Sequence, residues 1–159
     1  LVACAELIRR YSVQPAVDLR HLVRWVFFNL YVGNNDSHAK NLSIYSVPGR
    51  GATLTPFHDL MCTRLYPGLS AEFAFAIGGE VRPGEMGVGH LGQMSRQLGM
   101  QPRFLVQQAT DVADRVLTAI DQATREIAPS LMPSACTLAE RLERFVSSTT
   151  RRLAARLTA

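Results

Sequence analysis

The sequence predicts a mainly α-helical α+β domain, in which one small β-element interrupts a helical body. Three observations predict it. An apolar stripe at three- and four-residue spacing runs through residues 15–32 and ends at a glycine–asparagine turn. Two short strand-like runs flank Pro48-Gly49-Arg50-Gly51. From about residue 90 onward helical periodicity dominates, broken at Pro129 and Pro133.

With 159 residues, 47% of them apolar, the chain is sized for one compact unit with a real core, taken as residues 1–159. No apolar run reaches the roughly 18 residues that span a bilayer. The most apolar stretch, Val23 to Val32, is short and broken by Arg24 and Asn29. The start, Leu1 to Ala5, has neither a basic leader nor an initiator methionine, so a fragment without a signal peptide is expected. Cys4, Cys62 and Cys136 are odd in number and widely spaced. That argues against a disulfide framework and for a reducing, cytoplasmic setting. The formal charge is +4, and the only lysine among 17 basic residues is Lys40. A charge of that size permits an acidic partner without requiring one.

Pro15 suits the first turn of a helix, where its missing N–H is not needed. Leu19, Leu22, Val23, Val26, Phe27 and Leu30 form the stripe. Trp25, Phe28 and Val32 add apolar surface on other sides, which predicts burial nearly all round. Leu42 to Val47 and Ala52 to Pro56 read as strands, with Phe73 to Ile77 as a third. A short helix is expected from about His90 to Leu98. A long one follows from Pro102, with Leu105, Ala109, Val112, Val116, Ile120, Ala123 and Ile127 facing inward. The last helix is expected to begin at Thr137, because Glu140 three residues later makes a capping-box pattern.

The chemistry concentrates in Gly33-Asn34-Asn35-Asp36-Ser37-His38-Ala39-Lys40-Asn41, between the buried helix and the first strand. Asp36 and Asn41 are separated by four residues. This is the spacing of a kinase catalytic loop, in which the Asp handles the substrate hydroxyl proton and the Asn holds magnesium. Asp59, after the second strand, is the candidate second acid. Mg²⁺ takes oxygen donors and commonly one or two carboxylates, with phosphates and water completing its shell. The order helix, Asp36, Asn41, strand, turn, strand, Asp59 is that of a protein-kinase-like C-lobe.

The run Gly33 to Ser43 resembles the catalytic loop of the HipA family of bacterial serine/threonine kinases. Leu54-Thr55-Pro56-Phe57-His58-Asp59-Leu60 resembles that family's metal-binding segment, with His58 where a tyrosine more usually stands. Ala76-Ile77-Gly78-Gly79 and the two long terminal helices are also similar. The resemblance implies ATP and Mg²⁺ as cofactors and Asp36 as catalytic base. It implies Asn41 and Asp59 as metal ligands, and His38, Lys40 and His58 beside the nucleotide. It further implies a protein substrate, for which aminoacyl-tRNA synthetases are known targets in the family, and a HipB-like DNA-binding antitoxin as partner. A complete kinase needs a glycine-rich loop and a strand lysine ahead of the catalytic loop. The residues before Asp36 read as helix and the sole lysine is Lys40, so an N-lobe is expected to be missing and this chain alone to be inactive.

Other phosphotransferases, including aminoglycoside, choline and phosphoinositide kinases, use similar loops, and a noncatalytic partner-binding module is a further alternative. Three other features have plainer readings. His58 and Cys62 stand at i and i+4 but lack the further ligands zinc wants. Gly87-Val88-Gly89-His90-Leu91-Gly92 matches G-x-G-x-x-G without a preceding strand or a βαβ unit, and is expected to be a loop leading into a helix. The arginines of the last helix are expected to be a solvated face.

Overall fold

The computed structural model describes residues 1–158. Among the described residues there are five α-helices and one antiparallel hairpin: α1 (Val2–Tyr11), α2 (Pro15–Val32), β1 (Ile44–Val47), β2 (Gly51–Leu54), α3 (Val88–Leu98), α4 (Pro102–Ile127) and α5 (Pro133–Thr158). The central helix is α2, against which α1, α4 and α5 all pack. Its Leu22, Val23, Trp25, Val26, Phe27, Leu30 and Tyr31 are buried, as the all-round apolar pattern requires. Burying each such side chain contributes about 1.5–3 kcal/mol relative to exposure.

Pro15 does open α2, and Gly33 ends it in the left-handed conformation, with φ 75°. That glycine has a second constraint. A Cβ there would lie 2.6 Å from the Phe145 ring of α5. The helix end and α5 therefore touch at a point that admits no side chain.

In the hairpin Ile44 faces Leu54 and Val47 faces Gly51, and Thr55 N–H extends the register by donating to the Ser43 carbonyl at 2.9 Å. An isolated two-stranded hairpin is marginal in water, and this one is bolted to the junction of α1 and α2. Val13 N–H donates to the Ala52 carbonyl. The wholly buried Asp18 carboxylate accepts from Ser12 Oγ (2.7 Å), Gln14 Nε2 (3.1 Å) and Leu54 N–H (2.9 Å).

Four expectations are corrected. Phe73 to Ile77 is not a strand; Ile77 forms only an isolated bridge with Glu80. Phe73, Phe75 and Ile77 are buried while Ala74 and Ala76 are exposed, so the two-residue period reflects packing on the core without a ladder partner. The last helix starts at Pro133, and Thr137 lies inside it, because proline at the first turn outweighs the capping-box pattern. On α4, burial fades after Val116: Ile120 is half-buried, and Ala123 and Ile127 are exposed. The Gly87–Gly92 run is not a loop: Gly87 is the N-cap of α3 and Val88 to Gly92 begin the helix, with His90 Nδ1 accepting the Gly87 N–H at 3.2 Å.

Gly33→Ala must adopt a left-handed backbone and displace Phe145. We expect it to lower unfolding free energy by about 2–4 kcal/mol, from the left-handed cost plus overpacking. Urea denaturation checks this; a loss below about 0.5 kcal/mol, the size of an ordinary surface change, would show that the contact yields freely.

Candidate active site

Past Gly33 the loop is shaped by buried amides. Asn34 is almost wholly buried, and its Nδ2 donates both to Asn29 Oδ1 (2.8 Å) and to the Asp59 carbonyl (2.9 Å). Asn29 in turn donates from Nδ2 to the Trp25 carbonyl at 2.8 Å. An amide relay thus runs from the last turns of α2 to the backbone of Asp59. The next residue is tied down as well. Asn35 N–H donates to Thr63 Oγ1 (2.8 Å), and its Nδ2 donates to the Ser70 carbonyl (3.0 Å). Thr63 Oγ1 and Arg64 N–H both donate to the Gly33 carbonyl. The catalytic-loop candidate and the segment after Asp59 therefore form one clamped unit.

Above that floor stand the acids. Asp36 is exposed, with His38 Nε2 3.8 Å from its Oδ1. Asn41, buried at the end of the short 3-10 turn Ala39–Asn41, donates from Nδ2 to Asp59 Oδ2 at 2.8 Å and reaches the Asp36 carbonyl at 3.4 Å. Asp59 is the one non-glycine residue with positive φ among the described residues, at 56°. That region is uncommon for residues with a side chain, though Asp tolerates it better than most. It is held at both ends: its carbonyl by Asn34 and its carboxylate by Asn41.

The six predicted residues fall into two groups. Asp36, His38, Asn41 and Asp59 are brought together. Lys40 and His58 flank them with exposed side chains that make no hydrogen bond among the described residues. Asn29, Asn34 and Thr63 were not singled out from the sequence. An amide inside an otherwise apolar stripe, as Asn29 is, was the signal that a buried partner exists.

Chemically, the Asp59 carboxylate and the Asn41 amide are adjacent oxygen-bearing groups of the kind a hard divalent cation accepts. Among the described residues no three His, Cys, Asp or Glu side chains gather into a metal cage. The donor set thus fits Mg²⁺, which takes the rest of its shell from phosphates and water, better than a closed zinc site. Cys62 does not add to it. Burial pushes its thiol up, against weaker opposing pulls from backbone N–H groups and Arg64, so the metal-binding thiolate is disfavoured. An apolar cleft of about 700 Å³ lies alongside, lined by Trp25, Phe28, Phe57 and Leu60, and two of these, Phe57 and Leu60, flank His58-Asp59 in sequence.

Comparison with known proteins bears on the family of the chain. The model of the HipA-like C-terminal domain family matches residues 1–124. Y4mE of Sinorhizobium fredii, a protein carried under a provisional kinase name, is 33% identical over 132 residues, covering 83% of this chain and 31% of that protein. The serine/threonine-protein kinase toxin HipA of Shewanella oneidensis is 31% identical over 115 residues, covering 72% of this chain and 26% of the toxin. Among solved structures, the Shewanella oneidensis complex of HipA, HipB and operator DNA matches with a TM-score of 0.68 and 30% identity, over 90% of this chain and 32% of the matched chain. The chain thus spans about a third or less of the length of these relatives.

Asn34→Ala leaves Asn29 Oδ1 and the Asp59 carbonyl without their donor. We expect a loss of about 2–3 kcal/mol in chemical denaturation, the range for orphaning buried acceptors. Lys40→Ala should cost less than about 0.5 kcal/mol, as an exposed substitution does. Equal costs for the two would mean that the relay carries no structural weight.

Proposed function

Because the chain belongs to the HipA-like C-terminal domain family, we propose that it is the catalytic lobe of a serine/threonine protein kinase that moves the γ-phosphate of ATP to a protein hydroxyl. One observation carries this reading: Asn41 joins Asp59 through its side chain and reaches the backbone of Asp36, bringing the two motif segments together. Asp36, exposed beside this junction, would accept or orient the proton of the incoming hydroxyl. Asn41 and Asp59 would hold Mg²⁺, which when bound neutralises charge on the phosphates. His38 and Lys40 would face the nucleotide phosphates, and His58 would stand at its edge. The relay Asn29–Asn34 keeps Asp59 from drifting, and positioning is the larger part of what a phosphoryl-transfer enzyme supplies.

The lobe alone is expected to be catalytically silent. Its one lysine, Lys40, lies inside the loop, so a strand lysine to pair the α- and β-phosphates would have to be supplied from outside these residues, by the same protein or by another chain. An aminoacyl-tRNA synthetase is the substrate class the family suggests. The HipB in the matched complex makes a HipB-like DNA-binding antitoxin the natural partner. The odd, widely spaced cysteines fit a cytoplasmic setting for such a kinase, and no helix among the described residues is long and apolar enough to cross a membrane.

Transfer of labelled phosphate from ATP, measured on the full-length protein, tests the assignment. Asp36→Ala should reduce turnover by about 10³-fold or more, given the combined loss of proton handling and orientation, with circular dichroism unchanged. Asn41→Ala and Asp59→Ala should raise the Mg²⁺ requirement and recover partly at high Mg²⁺. Full activity of the Asp36 variant, or turnover by the 159-residue chain comparable to the full-length protein, would overturn the reading.

A further inference from the structure

A second, smaller recess opens on the side of the Gly33–Asn35 loop that faces α5. It has a volume of about 80 Å³, and Arg64, Arg152, Asn35 and Thr149 line it, with Phe145 as an apolar wall. By volume it has room for about two or three waters, or for one tetrahedral oxyanion.

Two cations reach it from different elements: Arg64 from the 3-10 turn after Asp59, Arg152 from α5. Among the described residues neither guanidinium is paired with a carboxylate. The Arg64 fork makes only a 3.5 Å contact with the Ala71 carbonyl.

Thr149 is the second observation. It is 7% exposed, and its hydroxyl has no partner. Helical threonines commonly return their O–H to the carbonyl one turn back, and Thr110, Thr118, Thr124 and Thr158 of this chain do so. Thr149 does not, and its side chain lines the recess. (The hydroxyl of Thr150 is also unpartnered, but Thr150 is not part of this lining.)

Asn35 completes the set. Its Nδ2 donates to the Ser70 carbonyl, and its Oδ1 is buried and unpartnered. That oxygen can only accept, so an occupant has to bring a hydrogen to it.

We propose that this recess binds a phosphate-type oxyanion that still carries one proton: inorganic hydrogenphosphate or a phosphomonoester monoanion. Arg64 and Arg152 supply charge-assisted donors, Thr149 Oγ1 a third donor, and Asn35 Oδ1 accepts the P–O–H. Bound there, the anion ties the turn that follows Asp59 to α5, so that occupancy steadies the acid-bearing segment from beneath. The site is separate from Asp36, Asn41 and Asp59 and requires neither nucleotide nor magnesium.

Calorimetric titration of the intact chain at about pH 5.5, below the second phosphomonoester pKa of about 6 so that the monoester keeps its proton, without nucleotide or divalent metal, tests this with three probes: inorganic phosphate, O-phosphoserine and sulfate. We expect saturable one-to-one phosphate binding, with sulfate at least about tenfold weaker at equal ionic strength, because it has no proton for Asn35 Oδ1 and leaves a buried acceptor unpaired. Arg152→Gln and Thr149→Val should each weaken phosphate about tenfold or more, one by loss of a charge-assisted bond and the other by loss of the hydroxyl. Arg152 is exposed, so its variant should keep the native circular dichroism. Tighter binding of O-phosphoserine than of phosphate would assign a phosphorylated side chain as occupant, and the reverse would assign the free ion. No saturable binding, sulfate as tight as phosphate, or undiminished binding by a folded Arg152→Gln variant would each overturn the proposal.

Discussion

The candidate site hangs on one buried amide, the side chain of Asn34. An amide moved from water into an apolar interior costs several kcal/mol unless its hydrogen bonds are replaced. Asn34 spends both Nδ2 hydrogens, one on Asn29 Oδ1 and one on the Asp59 carbonyl. Neither acceptor can retreat without stranding it. The end of α2 and the backbone of Asp59 are therefore fixed against each other, and Asp59 is held with φ at 56°, where few side chains sit unaided.

The hairpin explains why two stretches far apart in sequence arrive at that amide together. Antiparallel pairing of Ile44 with Leu54 brings the residues before β1 and after β2 to the same end of the sheet. Asn41 and Asp59 leave from that end, and their side chains meet at 2.8 Å. So short a sheet cannot hold this geometry alone. Asp18 supplies the anchor, because its buried charge is tolerable only while Ser12, Gln14 and Leu54 all donate to it. The first turn of α2 thus governs the hairpin, and the last turn governs Asp59. A single helix references both halves of the site.

Much of this was legible in the sequence, and the parts that were not share a physical cause. The stripe of α2, its proline start and its glycine end are local signals, and the structure follows them. The order Asp36, Asn41, Asp59 was legible because spacing and a hairpin pattern are also local. Asn34 and Asp18 were not. An asparagine after a helix-ending glycine looks like turn chemistry, and an aspartate in a first helical turn looks like a partner for the helix dipole. Only tertiary burial turns them into anchors. Phe73 to Ile77 alternates like a strand because alternate side chains enter the core, and periodicity cannot say whether a neighbouring backbone is there to pair. Gly33 could be read as a helix terminator, but the Phe145 ring that forbids a Cβ there comes from α5, far along the chain.

The division of labour around the loop follows from the same electrostatics. Asn34, Asn35 and Asn41 are buried, while Asp36, Lys40, His58 and Asp59 are exposed. Neutral amides can be buried at the cost of a few hydrogen bonds; an unpaired charge cannot. Positioning therefore falls to uncharged groups below the surface, and the ionic groups stay solvated above it. A site with its carboxylates buried instead would have to raise their pKa values or pair them permanently. Either would remove the negative charge that a divalent cation and an incoming hydroxyl proton both need. The exposed acids on a buried amide floor are thus the arrangement that the proposed phosphoryl transfer would need, and the floor is the part that sequence spacing alone conceals.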